Sequence, residues 1–482
     1  MKKLIVAAIL FLSFANSEKA FASHVMGGEF EYEVLDSINR IYRIKLSLYR
    51  DCSGITPGNT AWNVNFSNGC PTMVLNPTFL GKKEVTPLCS PRPLTTCSGG
   101  TTIKGTEVWE YEWVGQFPPG CGIASVVWDQ CCRNFNNGPG SIDPAIIDQS
   151  GPLGGHLETH INTDLKRGNN SSKFLNPPVP FICLNTLFKY NHYSIDKDGD
   201  SLVFSLYAPY GDATGGQVIY KPPYSYVRPY DMVESSIQFN PITGQFQFTP
   251  TKLQTSIMGF RVIEYRRLKG FNGKDSMVYA GMTMRDVQVS IVVACSPIDF
   301  DGILKDSVKN GNWVDTVNVD VCVTGKPLEF QFRARVKDLP LDVKLYSSMD
   351  GVDAFFLDQG PLGVGYNYTY RVKKDSARLR DTLWGKFTYK TPIKKLGCRY
   401  LSWNVGYCVQ GFDIRNTFTA KVCFKDNTFA DKDTVYYCQG GLPPTVNVYG
   451  GDTFVWTPNK NICAFNANYS TVQLCPDSTR RY

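Results

Sequence analysis

"SHVMGGEFEYEVLDSINRIYRIKLSLYRDCSG", residues 23–54, decides the fold class. Within it Tyr42, Ile44, Leu46 and Leu48 alternate with Arg43, Lys45 and Ser47. Successive side chains of a strand point to opposite faces, so this period of two predicts a strand with one face in a core and one toward water. Two further segments, "GTEVWEYEWVG" (105–115) and "GIASVVWDQCCRN" (122–134), read as strands, with Pro, Gly and Asn clusters between them. Short strands parted by turn residues fit packed sheets better than parallel βαβ units. With 42 Gly, 29 Pro and 13% aromatic residues in 482, and hardly any helical periodicity, the whole chain reads as all-β.

The chain opens with Lys2 and Lys3, the apolar run "LIVAAILFLSFA", and Ala20-Phe21-Ala22 before Ser23. That order of charge, apolar core and small residues is a cleaved signal peptide, so residues 1–22 are expected to be removed. No later stretch approaches the ~20 apolar residues of a membrane helix, and no membrane span is expected after the leader is lost. The net charge of +7 falls to +5 when three Lys and one Glu leave with the leader, and the basic residues are scattered, so no nucleic-acid footprint follows. Sixteen cysteines lie at Cys52, Cys70, Cys89, Cys97, Cys121, Cys131, Cys132, Cys183, Cys295, Cys322, Cys398, Cys408, Cys423, Cys438, Cys463 and Cys475. None forms a C-x-x-C pair, so disulfides in an oxidising compartment are the expected state.

Two segments match each other. Cys183 and Cys322 open them, "GQFQFTP" ending at Pro250 answers "GKFTYKTP" ending at Pro392, and "RDVQVSIVVAC" at Cys295 answers "RNTFTAKVCF" at Cys423. From opening Cys to Pro is 67 residues in one and 70 in the other, an internal repeat of Ig-like size. The expected organisation is a signal peptide at 1–22, a β-sandwich at 23–172, Ig-like or cadherin-like sandwiches at 173–296 and 297–437, and a partial β module or cap at 438–482. Repeat symmetry suggests bridges Cys183–Cys295 and Cys322–Cys423, with Cys398–Cys408 as a local one. These leave seven cysteines in the first domain and three in the tail, both odd. Pairing Cys183 with Cys131 or Cys132 instead restores even counts, and the connectivity stays open.

"SHVMGGEFEYEV", "WDQCCRN", "NNSSKFLNPPVPFICLN", "YNHYSIDKDGDSLVFSL" and "EYRR" followed by "RDVQVSIVVAC" resemble, in this order, the N-terminal half of large secreted Bacteroidota surface proteins of the gliding-motility-associated type. The resemblance covers residues 23–295 well, and residues 183–295 also resemble cadherin-like and Ig-like modules of bacterial adhesins. It implies an extracellular, non-enzymatic protein of tandem Ig-like or cadherin-like β-sandwiches, exported by type IX secretion and attached by a sorting domain. The closing "CPDSTRRY" does not match such a domain. Asp-Ser/Thr-apolar triplets, among them those at 36, 200, 275, 306, 315, 375, 381 and 433, look like the O-glycosylation acceptors of such proteins; the competing reading is a turn closed by Asp and Ser or Thr before a strand.

Asp196, Asp198 and Asp200 surround Gly199 in "DKDGDS". As an EF-hand the loop fails, because the sixth and twelfth places counted from Asp196 hold Ser201 and Tyr207. Asp-Gly supplies a tight turn into the strand "SLVFSLY", and the three carboxylates are a candidate calcium site at a sandwich end. His156, Glu158 and His160 would share one strand face and can bind zinc, yet the same alternation describes a solvated strand face. Trp109, Tyr111 and Trp113 alternate on another strand, as a sugar-stacking row or as core.

The residues therefore point first to a non-enzymatic secreted or cell-surface protein in adhesion or surface structure, with no catalytic residues and calcium as the sole candidate cofactor. A glycan-binding, lectin-like module is second and a metallohydrolase using His156, Glu158 and His160 third. Expected partners are other cell-surface proteins or glycans.

Overall fold

The computed structural model describes residues 24–295 except 59–60, 90, 132, 136–140, 177, 179–180, 213 and 270–274. Beyond 295 it describes strands, with side chains only at positions within 402–419, 445–447, 464–466 and 471–474. The expected signal peptide lies outside the described residues. The chain divides into two compact units, one of residues 1–296 with 408–415, the other of 297–407 with 416–482.

The first unit runs β1 (Val25–Asp36), β2 (Ile41–Asp51), β3 (Trp62–Phe66), β4 (Met73–Leu75), β5 (Thr78–Glu84), β6 (Thr106–Gln116), β7 (Ile123–Gln130), β8 (Gly155–Asn162) and β9 (Lys173–Phe174). It continues with β10 (Phe181–Leu184), β11 (Phe188–Asn191), β12 (Ser194–Ile195), β13 (Ser201–Tyr207), β14 (Gln238–Phe239), β15 (Gln245–Phe248), β16 (Thr255–Lys269) and β17 (Asp275–Ala294). The alternation read from the sequence holds: Tyr42, Ile44, Leu46 and Leu48 of β2 are buried, and Lys45 between them is exposed. They join Phe30 and Tyr32 of β1, Trp62 and Val64 of β3, Trp128 of β7 and Leu157 of β8 in one core. Two arms of a single sheet, β2-β6-β5 and β4-β3-β7-β8, thus enclose that core as the layers of a sandwich.

The boundary expected at residue 172 falls inside this unit. β17 is 20 residues long, and along one edge it pairs in turn with β8 (Gly281–Thr283 against Thr159–Ile161), with β1 (Arg285–Val287 against Gly27–Glu29) and, in parallel, with β10. Its other edge takes β16 over the whole of that strand. The last strand of the expected second domain is therefore a central strand of the first. Gly27 sits at this crossing with φ +139°, where a Cβ would collide with the Asp286 carbonyl.

Residues 181–294 carry their own sandwich, with β10-β17-β16-β13 facing β11-β15-β14 across a core of Ile182, Tyr190, Tyr230, Phe248, Met258 and Val289. The second unit contains β18 (Asp299–Lys305), β19 (Asn318–Cys322), β20 (Leu328–Lys337), β21 (Leu341–Ser347), β22 (Tyr366–Asp375), β23 (Arg380–Tyr389), β24 (Gly397–Val409) and β25 (Phe412–Lys425), the tip of the last pair counting with the first unit. Its sheets run β19-β25-β24-β21 and β18-β20-β23-β22. The repeat seen in the sequence is thus a repeat of topology. In each copy the strand carrying the opening cysteine runs parallel to the closing one, Cys183 against Val293 and Asp320 against Cys423. The remaining strands, β26 (Phe429–Ala430), β27 (Thr445–Tyr449), β28 (Ile462–Phe465) and β29 (Thr471–Leu474), form a four-stranded sheet.

Four disulfides are described: Cys52–Cys97, Cys70–Cys121, Cys89–Cys408 and Cys183–Cys295. The last is the clamp that repeat symmetry suggests, and it removes the alternative pairing of Cys183 with Cys131 or Cys132. Cys131 is disulfide-bonded as well. The expected Cys398–Cys408 bridge is corrected. Both residues belong to β24, and ten residues of extended chain span roughly 33 Å, whereas a disulfide needs Cα atoms within about 7 Å. Cys408 takes Cys89 instead, which also resolves the odd count of the first domain. The side chains of Cys132, Cys322, Cys398, Cys423, Cys438, Cys463 and Cys475 lie outside the described residues.

Candidate metal centre

The turn at 196–200 forms as its sequence demands. Gly199 takes φ +80° with open space around it, and the Asp200 amide donates to Asp196 Oδ1 at 2.7 Å. Pairing of β13 with β16 sets Ser201 opposite Tyr265, which brings the turn beside Glu264 and Arg266. Arg266 resolves the repulsion among the carboxylates. Its Nε reaches Asp200 Oδ1 and its Nη2 reaches Asp200 Oδ2 and Asp198 Oδ2, each at 2.8 Å. Bidentate guanidinium–carboxylate pairing is the strong form of charge-assisted hydrogen bond. The loop before β9 closes the back: Arg266 donates to Gly168 O and Asn169 Oδ1, both at 2.6 Å, and Asn170 donates from its amide and side chain to Asp198 at 2.8 Å.

Glu264 is completely buried. Its oxygens accept from the Ser172 amide at 2.6 Å and from Asn169 Nδ2 at 2.7 Å, and Asn169 also donates to the Tyr32 hydroxyl at 2.8 Å. Burial, with the neighbouring Asp196 charge adding to it, pushes the Glu264 carboxyl up to about 8. Burial likewise raises Asp196 to about 6, against the hydrogen bond from the Asp200 amide. Oxygens of Asp196, Asp200 and Glu264 lie within 4.8 Å of one another, the one such group of potential metal ligands among the described residues. Of the three aspartates read from the sequence, Asp196 and Asp200 belong to this group, while Asp198 is turned to Arg266 and Asn170. Glu264, Arg266, Asn169 and Ser172 were missed. The available signal was an ionisable residue, Glu264, beside the apolar pair Val262-Ile263 in "VIEY".

The histidine cluster shares a face as predicted. Leu157, Thr159 and Ile161 of β8 point into the core, and His156, Glu158 and His160 point away from it. The face is more enclosed than a solvated strand face: His156 is buried and Glu158 and His160 are half-buried. His160 Nε2 lies 2.7 Å from Glu158 Oε1, His156 Nε2 lies 4.0 Å from Glu158 Oε2, and the Ser125 hydroxyl donates to Oε1. His160 Nδ1 is bonded to the Tyr279 hydroxyl at 2.6 Å. Burial works to raise Glu158, but the nearby His156 imidazole and the hydrogen bonds from His160 and Ser125 outweigh it and hold the carboxyl well below its usual range. The imidazoles thus flank a carboxylate on separate oxygens and do not converge on one point. Tyr111 is buried, and Trp109 and Trp113 pack against the same core, so that row is core and not an open sugar platform.

Of the Asp-Ser/Thr triplets, Asp36 accepts from the amides of Ile38 and Asn39 in a turn, and Asp200 is the ion-pair partner of Arg266. Asp275 stands at the start of β17. Those at 306, 315, 375, 381 and 433 lie outside the described side chains. Among the described residues no helix is long and apolar enough to cross a membrane.

The topology defines the class: an all-β protein of sandwich sheets with Ig-like strand order. No protein-family profile matches the sequence, and no curated protein does. Among solved structures, the fibronectin(III)-like modules of Clostridium thermocellum CbhA align at 9% identity over 53% of this chain and 94% of theirs, with a TM-score of 0.15. The Protocadherin GammaB4 extracellular domain aligns at 10% identity over 92% and 68%, with a TM-score of 0.15. An endo-fucoidan hydrolase of glycoside hydrolase family 107 aligns at 13% identity over 72% and 39%, with a TM-score of 0.12. Likenesses of that size carry no argument about what this chain does.

Proposed function

We propose that this chain is a non-enzymatic protein of the cell exterior, secreted or held on the outer surface, that acts in adhesion or surface structure by binding other surface proteins or glycans. The observation that carries the reading is the set of disulfides, one of them closing 319 residues of chain, in a fold made of sandwich sheets. Such bridges form and persist in oxidising compartments. The enclosure of Glu158 by His160 and Ser125, with Tyr279 on the other ring nitrogen of His160, supports it too, since those polar groups bond one another. The finer reading, a surface protein of gliding bacteria, rests on the resemblance across residues 23–295.

Beads coated with the oxidised mature chain test this against beads bearing an inert protein. Retention on bacterial surfaces or immobilised glycans, abolished by reduction, is the expected outcome. Absence of retention on every surface, together with turnover of a substrate in a hydrolase panel that is lost in Glu158→Gln, overturns it.

A further inference from the structure

Four carboxyls, from Asp196, Asp198, Asp200 and Glu264, meet where the start of β13 lies beside β16, and of these Arg266 contacts only Asp198 and Asp200. Among the described residues no ion pair reaches Asp196 or Glu264. Two polar atoms there lack hydrogen-bond partners although both are covered. One is Asp196 Oδ2; the other is the hydroxyl of Ser172, a residue 1% exposed that faces the Glu264 carboxyl. A buried polar atom without a partner is costly, and two beside one carboxyl group mark a place where a ligand belongs.

We infer that Asp196, Asp200 and Glu264, with the Ser172 hydroxyl, bind one calcium-sized divalent cation. An all-oxygen donor set selects a hard cation. The three carboxylate oxygens all lie within 4.8 Å of one another, close enough for one ion to touch them at about 2.4 Å each. Mg2+ gives up its waters reluctantly and is held by one or two carboxylates rather than by an all-protein cage, so a set of three carboxylates and a hydroxyl favours calcium. The second positive charge then meets Asp196 and Glu264 as Arg266 already meets the other two. The set differs from the aspartate triad of the sequence, because Glu264 from the neighbouring strand replaces Asp198. The ion would join three separate segments of the first unit: the turn at 196–200, strand β16 and the loop ending at Ser172. This inference stands independently of the adhesion reading.

Calorimetric titration of the chelator-treated full mature chain with CaCl2 and MgCl2, paired with Tb3+ luminescence, tests it. One equivalent of calcium is expected, at a Kd in or below the ~10⁻⁴–10⁻³ M range of extracellular modules and tighter than magnesium. Asp196→Asn and Glu264→Gln should each weaken it by about tenfold or more, and Asp198→Asn should retain it. Should Glu264→Gln fail to fold, Asp196→Asn, at a partly exposed turn position, decides the matter. Absence of saturable binding at millimolar calcium, or loss in Asp198→Asn with retention in Asp196→Asn, overturns the assignment.

Discussion

Arg285 and Asp286 are consecutive residues of β17, both buried, and they serve opposite faces. Arg285 pairs with Glu29, donates to Asn176 O at 2.6 Å, bonds His192 Nδ1 at 2.9 Å and stacks over Phe174. Asp286 pairs with Arg133. Removing one member of a buried pair strands the other charge, so Arg133→Leu should cost about 3–5 kcal/mol by urea unfolding. Gly27→Ala, at φ +139° against the Asp286 carbonyl, should cost ~2 kcal/mol or more on the same assay. Burial, then the Arg285 charge, pushes His192 well below its ordinary value. An unfolded chain takes a proton there below about pH 6.5 and the folded one does not, so this contribution is full above that pH and is lost as pH falls. The urea midpoint should drop between pH 7.5 and 5.5, and His192→Gln, which keeps an acceptor for Arg285, should reduce the drop. An unchanged slope in that variant would remove His192 as its source.

At the scale of the element, what could be read depended on whether the information was local. The period of two in residues 41–48 placed β2 and its buried face, and the spacing of "GQFQFTP" and "GKFTYKTP" from their cysteines found two sandwiches of one topology. Edge pairing is not local. Nothing in the alternation of β1 or β8 says that the strand between them arrives from residues 281–287. The trace was in β17 itself, buried without interruption from 280 to 291 and thus covered on both faces. The aspartate turn was legible for the same reason as β2, whereas Arg266 and Glu264, some 66 residues on, became its neighbours only through the β13–β16 register. Cys183–Cys295 locks the parallel strand pair of the first repeat over a separation of 112 residues. The double variant Cys183→Ser, Cys295→Ser should lose about 4–5 kcal/mol in the chain-entropy account, read as a fall in denaturant midpoint; an unaltered midpoint would show that the sheets alone hold β10 in place.

For the molecule as a whole, the insertion of β17 means that residues 24–172 are not a self-sufficient domain. Expressed alone they should give no cooperative melt, because the edges of β1 and β8 that β17 covers would be left open. Expressed as 24–296 they should melt as one transition; two independent transitions with a proteolytic cut near 172 would contradict the shared sheet. Reduction should lower that melting temperature far more than a chelator does, since several large loops reopen at once.

The bridge from Cys89 to Cys408 also sets how the chain would respond to tension. A pull on its two ends can draw out only the residues before Cys89 and after Cys408, because force passes from one sulfur to the other and bypasses the 319 residues of separation between them. Roughly 1,100 Å of potential extension, at about 3.5 Å per residue, is thereby withheld. While the bridge is oxidised that length stays out of reach of a pull, and a reductant releases it.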